Sequence, residues 1–145
     1  MDAKPLSTQE KEILLRVARQ SIESQIRGEK HSPLTASETE SPRLQADGAC
    51  FVTLTQNGEL RGCIGSLEAS RPLIEDVRAH AIDAALNDPR FPPLQAAELD
   101  EIQIEISRLT APTPLEYNNA EDLLNTLRPG VDGVVLKDGF RRATF

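Results

Sequence analysis

The chain has 145 residues, of which 39% are hydrophobic, and this suits one domain with a substantial core. Its 16 Lys and Arg residues are outnumbered by 23 Asp and Glu residues, so the net charge of −7 disfavours binding a nucleic-acid backbone. No apolar run approaches the roughly 18 residues of a transmembrane helix, and the polar stretch 1–10 is unlike a secretory signal. We therefore expect a cytoplasmic protein in which residues 1–145 form a single domain.

The first predicted element is a helix. Ser7 and Glu10 have the S-x-x-E form of a capping box, apolar residues follow at helical spacing, and Gly28 is a typical helix end. From residue 29 to residue 47 the chain is polar and shows no apolar period. This composition predicts a surface loop.

The dipeptide Asn57-Gly58 lies between two apolar-rich runs and predicts a tight β-hairpin. If these two residues form the loop, Leu54 faces Arg61 and Val52 faces Cys63. Facing residues share one side of a sheet. The predicted face consists of Cys50, Val52, Leu54, Arg61 and Cys63.

Cys63 is the first candidate for chemistry, because the predicted register places it on the same side as the Arg61 guanidinium. A nearby cation favours the thiolate, which is the nucleophilic form of cysteine. Gly62 and Gly65 flank Cys63 and predict a bulge, or a close approach by another backbone or a ligand. In the alternative interpretation, Cys63 is a small hydrophobic residue that only packs.

Cys50 and Cys63 are the only two cysteines. In the predicted register they lie diagonally at about 7–8 Å, beyond the usual disulfide reach of about 4.4–6.8 Å. We therefore expect two free thiols. Together with His31 and His80 they form no metal-ligand spacing, so the sequence predicts neither a metal site nor a cofactor.

A second long helix is predicted to begin at Ser70-Arg71-Pro72 and to end near Asn87. His80 lies on its apolar stripe. Because only a short connection separates this helix from the Cys63 strand, we expect it to pack back across the sheet. His80 is then a candidate proton carrier for Cys63, or a core histidine that is satisfied by a backbone carbonyl.

The segment 88–94 contains three prolines and cannot be helical, so it predicts a stiff loop. We expect Phe91 to plug the core, and Asp88 and Arg90 either to cap helix ends or to line a cleft. The next segment, 102–107, alternates strictly and predicts a strand. Its Glu105 is either a solvated side chain or, if that face is covered, part of a polar pocket.

The end of the chain predicts a short helix, 120–127, which Asn118 or Asn119 caps. Asp138-Gly139 then signals a second hairpin. The sequence stops inside the return strand of that hairpin. We therefore expect the natural protein to continue, or a C-terminal segment to be missing.

Three blocks of the sequence resemble the AMMECR-type domain family. Residues 60–65 are similar to its L-R-G-C-I-G signature, and residues 88–94 and 104–107 are similar to its D-P-R-F-P-P-L and I-E-I-S blocks. Residues 131–133, together with residues 142–145, resemble its terminal G-x-D-G and R-x-T-F block. Family members continue past T-F into an L-P segment and a further helix, which this sequence lacks.

The resemblance implies an α+β fold, with a central, largely antiparallel or mixed sheet flanked by helices and a smaller lobe. It also implies the group called AmmeMemoRadiSam system protein A, whose genes or domains accompany a Memo-like protein and a radical S-adenosylmethionine (SAM) protein. These two proteins are the expected partners. A role in modifying RNA or another biomolecule is proposed for that system, so the expected substrate is a small molecule or RNA.

We therefore expect a cysteine-dependent enzyme or enzyme subunit. Its candidate catalytic residues are Cys63, His80 and Glu105. Its candidate substrate-binding residues are Arg61, Gly62, Gly65, Arg90 and Asp132. The alternative is a non-catalytic binding or adaptor module for a small anionic ligand or a partner protein. A nucleic-acid-binding protein has the net charge against it.

Overall fold

The structure is a computed structural model that describes residues 4–145, so the first three residues of the polar stretch 1–10 lie outside it. Contacts within the chain divide the protein into two units, one that ends at Ala111 and one from Pro112 to Phe145. The first unit carries the three-stranded sheet and the long helices. Within residues 4–145, no helix has the length and the apolar content needed to cross a membrane.

The predicted first helix, α1, is confirmed and spans Thr8–Arg27. It begins after Ser7, whose hydroxyl accepts the Glu10 N–H while the Glu10 carboxylate accepts the Ser7 N–H. It ends at Gly28, whose φ of 69° lies in the left-handed region that glycine adopts without strain.

The prediction of a surface loop over 29–47 is wrong in its second half. Two short helices lie there, α2 (Ala36–Thr39) and α3 (Pro42–Gln45). A Thr35–Glu38 capping box begins the first, and a proline in the first turn begins the second. The Leu44 side chain is fully buried in the core, so this segment is packed rather than solvated.

The predicted hairpin is confirmed. Strand β1 (Ala49–Gln56) pairs antiparallel with β2 (Glu59–Gly65), and Asn57 and Gly58 have the positive φ values of 52° and 81° that a type I′ turn requires. The third strand, β3 (Ile102–Leu109), pairs with the other side of β1, so the strand order is β2-β1-β3. This sheet with its helices is an α+β fold, as expected.

The predicted register of the hairpin is wrong beyond the turn. Thr53 faces Cys63 and Leu54 faces Gly62, whereas the sequence placed Cys63 opposite Val52. The register shifts by one residue between Leu54 and Thr55. Because side chains alternate along a strand, this shift moves Cys63 to the other face of the sheet.

A bulge at Arg61 causes the shift, and the glycine that follows it explains why the chain adopts it. A Cβ atom on Gly62 would lie 2.0 Å from the carbonyl oxygen of Ala84, so only glycine fits beneath the helix that contains Ala84. The bulge turns Gly62 toward that helix. The predicted close approach of another backbone is therefore correct at Gly62.

One face of the sheet packs against α1 and a second long helix, α4 (Leu73–Leu86), which lies within the region predicted to be helical and confirms that helix. Val52 and Leu54 point into this core and are fully buried. The opposite side of the sheet, which we call the outer face, carries half-buried or exposed side chains. Residues on this face include Phe51, Thr53, Thr55, Cys63, Gln103, Glu105 and Ser107.

The proline-rich segment 88–94 is non-helical, as predicted. Phe91 is only half-buried, however, and Leu94 fills the core instead, so the prediction for Phe91 is wrong. Leu94 reaches this position because its N–H donates to the Ala85 carbonyl oxygen of α4 at 2.8 Å. A 3₁₀ helix, Ala96–Glu101, then leads into β3.

The second unit contains α5 (Ala120–Thr126), β4 (Val135–Asp138) and β5 (Arg141–Thr144). Asn119 caps α5 by accepting the Asp122 N–H. The hairpin loop consists of residues 139 and 140, because Asp138 pairs with Arg141. The predicted loop is therefore displaced by one residue.

Candidate functional site

The Cys63 thiol lies on the outer face in a row of three side chains across the sheet. Its Sγ atom is 3.3 Å from Thr53 Oγ1, and Thr53 in turn faces Glu105 on β3. Neighbouring strands are about 4.8 Å apart, so the Cα atoms of Cys63 and Glu105 are about 10 Å apart. A molecule that lies over Thr53 can therefore contact both ends of this row.

The backbone of Cys63 is bound by two charged side chains from the segment 88–94. Its N–H donates to Asp88 Oδ2 at 2.9 Å, and its carbonyl oxygen accepts from Arg90 Nη2 at 3.3 Å. Arg90 also donates to both carboxylate oxygens of Asp88, through Nε at 3.0 Å and Nη2 at 2.8 Å. The Arg90 hydrogen bonds, with the Cys63 N–H, hold the pKa of Asp88 well below its usual range.

Arg90, rather than Arg61, is the cation associated with Cys63. The hydrogen bonds that Arg90 donates to Asp88 raise the pKa of Arg90, and Arg90 Nη2 also donates to the Cys63 carbonyl oxygen at 3.3 Å. The Arg61 guanidinium instead donates to the Glu98 carboxylate, at 3.0 and 3.2 Å, and lowers the pKa of that acid. The expected pairing of Arg61 with Cys63 is therefore replaced by a pairing of Arg61 with the 3₁₀ helix.

His80 belongs to a different cluster, which is centred on Asp76 of α4. The Asp76 side chain is 1% exposed and accepts hydrogen bonds from the Cys50 N–H at 3.0 Å, Cys50 Sγ at 3.3 Å and Arg71 Nε at 2.8 Å. His80 Nε2 lies 3.3 Å from Asp76 Oδ1. Burial, together with the neighbouring Asp76 carboxylate, raises the pKa of Cys50 well above its usual range.

The structure thus brings Cys63 and Glu105 to one face of the sheet and His80 to the other. His80 contacts the carboxylate that binds Cys50, whose neighbours Val52 and Leu54 on the same strand point into the core. Within residues 4–145, no hydrogen bond joins His80 to Cys63, and His80 Nδ1 has no hydrogen-bond partner. The sheet therefore separates the two side chains.

The remaining candidate residues have structural neighbours of their own. At Gly65 an added Cβ would lie 2.4 Å from the Cys50 carbonyl oxygen, so this glycine, like Gly62, lets two backbones approach. Asp132 lies in the second unit and accepts from Arg128, with 2.6 Å between Nη2 and Oδ1. Across residues 4–145, no group of three or more His, Cys, Asp or Glu side chains is arranged to hold a metal ion.

The sequence analysis did not single out Asp76 or Thr53, and it gave Asp88 a different role. Asp76 is four residues before His80, a spacing that places both on one helix face. Asp88 was considered only as a helix cap or a cleft residue, although it lies two residues from Arg90. Thr53 had no signal, because its contact with Cys63 depends on the bulge at Arg61.

Comparisons with known proteins agree on one family. Residues 15–145 match the model of the AMMECR1 family. A Methanothermobacter thermautotrophicus protein is 44% identical over 138 residues, which cover 95% of this chain and 71% of the relative. A Methanocaldococcus jannaschii protein is 37% identical over 139 residues, which cover 94% and 67%. The crystal structure of the uncharacterized protein PH0010 from Pyrococcus horikoshii matches with a TM-score of 0.86 at 32% identity, covering 96% of this chain and 70% of that one.

Proposed function

This chain belongs to the AMMECR1 family, and we propose that it is a cysteine-dependent enzyme, or a subunit of one, whose reacting atom is Cys63 Sγ. One observation carries the proposal. Cys63 is a half-buried thiol with a hydroxyl 3.3 Å from its sulfur and a guanidinium at its carbonyl oxygen. A partly accessible thiol with a nearby cation is the typical setting of a reactive cysteine.

The row across the sheet supports a division of roles. Cys63 is the nucleophile, and the Thr53 hydroxyl donates to its sulfur when the thiol has lost its proton. Glu105, at the other end of the row, moves a proton to or from a substrate that lies over Thr53. His80 has no role in this proposal, because it lies on the opposite face of the sheet and binds Asp76.

The proposal includes the partners that the sequence motifs imply. The chain acts with a Memo-like protein and a radical SAM protein, and its substrate is a small molecule or an RNA. The net charge of −7 favours the small molecule, because an acidic protein repels a phosphate backbone. Binding of a labelled RNA that weakens steeply as salt rises would instead favour the RNA.

Alkylation by iodoacetamide tests the reactivity of Cys63 directly. We expect Cys63 in the folded protein to react faster than free glutathione at pH 7, and Cys63→Ser to abolish this reaction. Cys50→Ala is the matched control and should leave the rate unchanged, because Cys50 is fully buried. A Cys63 rate equal to or below that of glutathione would contradict the proposal.

The exposure of Arg90 favours a second candidate, a non-catalytic module that binds an anionic ligand. The Arg90 side chain is 55% exposed, and its guanidinium carbon lies 5.5 Å from the centre of the Phe91 ring. Inorganic phosphate is a simple probe of this surface. If Arg90→Gln loses phosphate binding while Cys63→Ser keeps it, and Cys63 reacts no faster than glutathione, the binding module is supported over the enzyme.

A further inference from the structure

Strand β2, which carries Cys63, is an edge strand of the three-stranded sheet. In an antiparallel ladder, the N–H and C=O of one residue point toward the same neighbouring strand. The N–H and C=O of Cys63 both point away from β1, toward the segment 88–94. Backbone N–H and C=O groups that point outward from an edge strand can pair with any extended chain.

Asp88 and Arg90 provide the two partners that a neighbouring strand would offer. Asp88 Oδ2 accepts the Cys63 N–H at 2.9 Å, and Arg90 Nη2 donates to the Cys63 carbonyl oxygen at 3.3 Å. One acceptor and one donor, side by side, reproduce the hydrogen-bonding pattern of a strand. We call these two side chains the Asp88–Arg90 clamp.

The clamp is itself held in place. The Asp88 side chain is 2% exposed, and its Oδ1 atom accepts from both the backbone N–H of Arg90, at 3.1 Å, and its Nε atom, at 3.0 Å. Pro89, Pro92 and Pro93 restrict the backbone around it. The hydrogen bond from Leu94 to the Ala85 carbonyl oxygen fastens the end of this segment to α4. The clamp therefore connects Cys63 to the helical core.

We propose that the Asp88–Arg90 clamp is a positioning device that substitutes for a neighbouring strand at Cys63 and keeps its thiol beside Thr53. Asp88 and Arg90 are positioning residues in this scheme. They hold the Cys63 backbone, and Arg90 also provides the positive charge near the sulfur. The effect of the clamp on the reactivity of Cys63 rests on the proposed function. Its hydrogen bonds to the Cys63 backbone do not depend on that function.

Amide hydrogen exchange of Cys63 tests the hold on the backbone. In Arg90→Gln, which alters an exposed side chain, we expect the Cys63 amide to exchange at least ~10-fold faster, because charge-assisted hydrogen bonds are lost. Asp88→Asn should show the same change. The Ile64 amide should keep its rate, because alternation points it toward β1. Unchanged exchange at Cys63 in both variants would overturn the proposal.

Glu98→Gln is the matched control. It disrupts the ion pair of Arg61, on the same strand, without touching the Cys63 backbone. We expect normal Cys63 exchange in this variant. Equal acceleration in Glu98→Gln and Arg90→Gln would mean that any lost ion pair loosens β2, and it would refute a specific clamp.

Alkylation of Cys63 separates this proposal from the proposed function. Arg90→Gln should slow the reaction of Cys63 with iodoacetamide by ~3-fold or more, because the cation is gone, while Cys50 stays unlabelled and so reports an intact fold. If wild-type Cys63 reacts no faster than glutathione, the proposed function fails and the exchange result still decides on the clamp. If Cys63 is reactive but its rate is the same in Arg90→Gln, the positioning role in that reaction fails.

Discussion

The two cysteines of the hairpin have opposite environments although they lie on neighbouring strands. Cys50 is fully buried under α4, and its thiol donates to the Asp76 carboxylate at 3.3 Å. Cys63 is half-buried on the outer face, with the Thr53 hydroxyl 3.3 Å from its sulfur and the Arg90 guanidinium at its carbonyl oxygen. Burial and the neighbouring Asp76 carboxylate raise the pKa of Cys50 and keep its sulfur protonated, whereas the Cys63 sulfur is partly accessible to reagents.

A shift of one residue in the strand register decides whether Cys63 is a buried structural cysteine or a candidate reactive one. Without the bulge at Arg61, Cys63 would point into the core as Cys50 does. The bulge places Gly62 beneath α4, where any larger residue would clash with the Ala84 carbonyl oxygen. The packing of α4 on the sheet therefore determines which thiol is accessible.

The largest expected effect is a loss of stability when the buried environment of Cys50 is disrupted. Asp76→Ala leaves the Cys50 N–H and the Arg71 guanidinium without their acceptor in a buried cluster. We expect the free energy of unfolding to fall by ~3–5 kcal/mol, as measured by urea denaturation. Asp83→Ala, on the same helix with a side chain that is 40% exposed, is the control and should cost less than ~1 kcal/mol. Similar losses in the two variants would argue against the Asp76 cluster.

A smaller effect follows from the raised pKa of Cys50. Since its folded pKa lies above the unfolded value of about 8.5, its contribution to stability is complete below that pH and declines as pH rises further. We expect the free energy of unfolding to drop by ~1–2 kcal/mol between pH 8 and pH 10 because of this residue. Cys50→Ala should lose this dependence, and Cys63→Ala should keep it. Urea denaturation at each pH measures this dependence. The same pH dependence in the two variants would contradict its assignment to Cys50.

The smallest effect concerns Thr53. Thr53→Val removes the hydroxyl that lies 3.3 Å from the Cys63 sulfur. We expect alkylation of Cys63 to slow by ~2–10-fold, because one hydrogen bond to the sulfur is lost. Thr55→Val, on the same face and strand, should leave the rate unchanged. Equal rates in the Thr53 and Thr55 variants would remove Thr53 from the site.

The elements that the sequence predicted correctly are those with local causes. The Ser7–Glu10 capping box, the Asn57-Gly58 turn and the alternation of residues 102–107 each act through neighbours in the chain. The same is true of Asn119, one of the two residues expected to cap α5. These signals located α1, the hairpin, β3 and α5 without knowledge of the rest of the fold.

The site was harder to predict because it depends on contacts between distant segments. Cys63 was identified from its flanking glycines, but its face depends on the approach of Ala84 to Gly62. Arg90 replaces Arg61 as its cation because Asp88 and Cys63 meet across 25 positions of sequence. His80 was expected near Cys63 through a short connection, yet Asp76 holds it on the other face. No local pattern encodes these three outcomes.

The most direct test of the account labels both cysteines in one sample of native protein. Iodoacetamide is added at pH 7, and mass spectrometry follows the peptides of Cys50 and Cys63 with time. The account predicts that Cys63 is fully modified while Cys50 remains unmodified, until denaturant exposes it. Modification of both thiols at the same rate, or of neither in the folded protein, would contradict it.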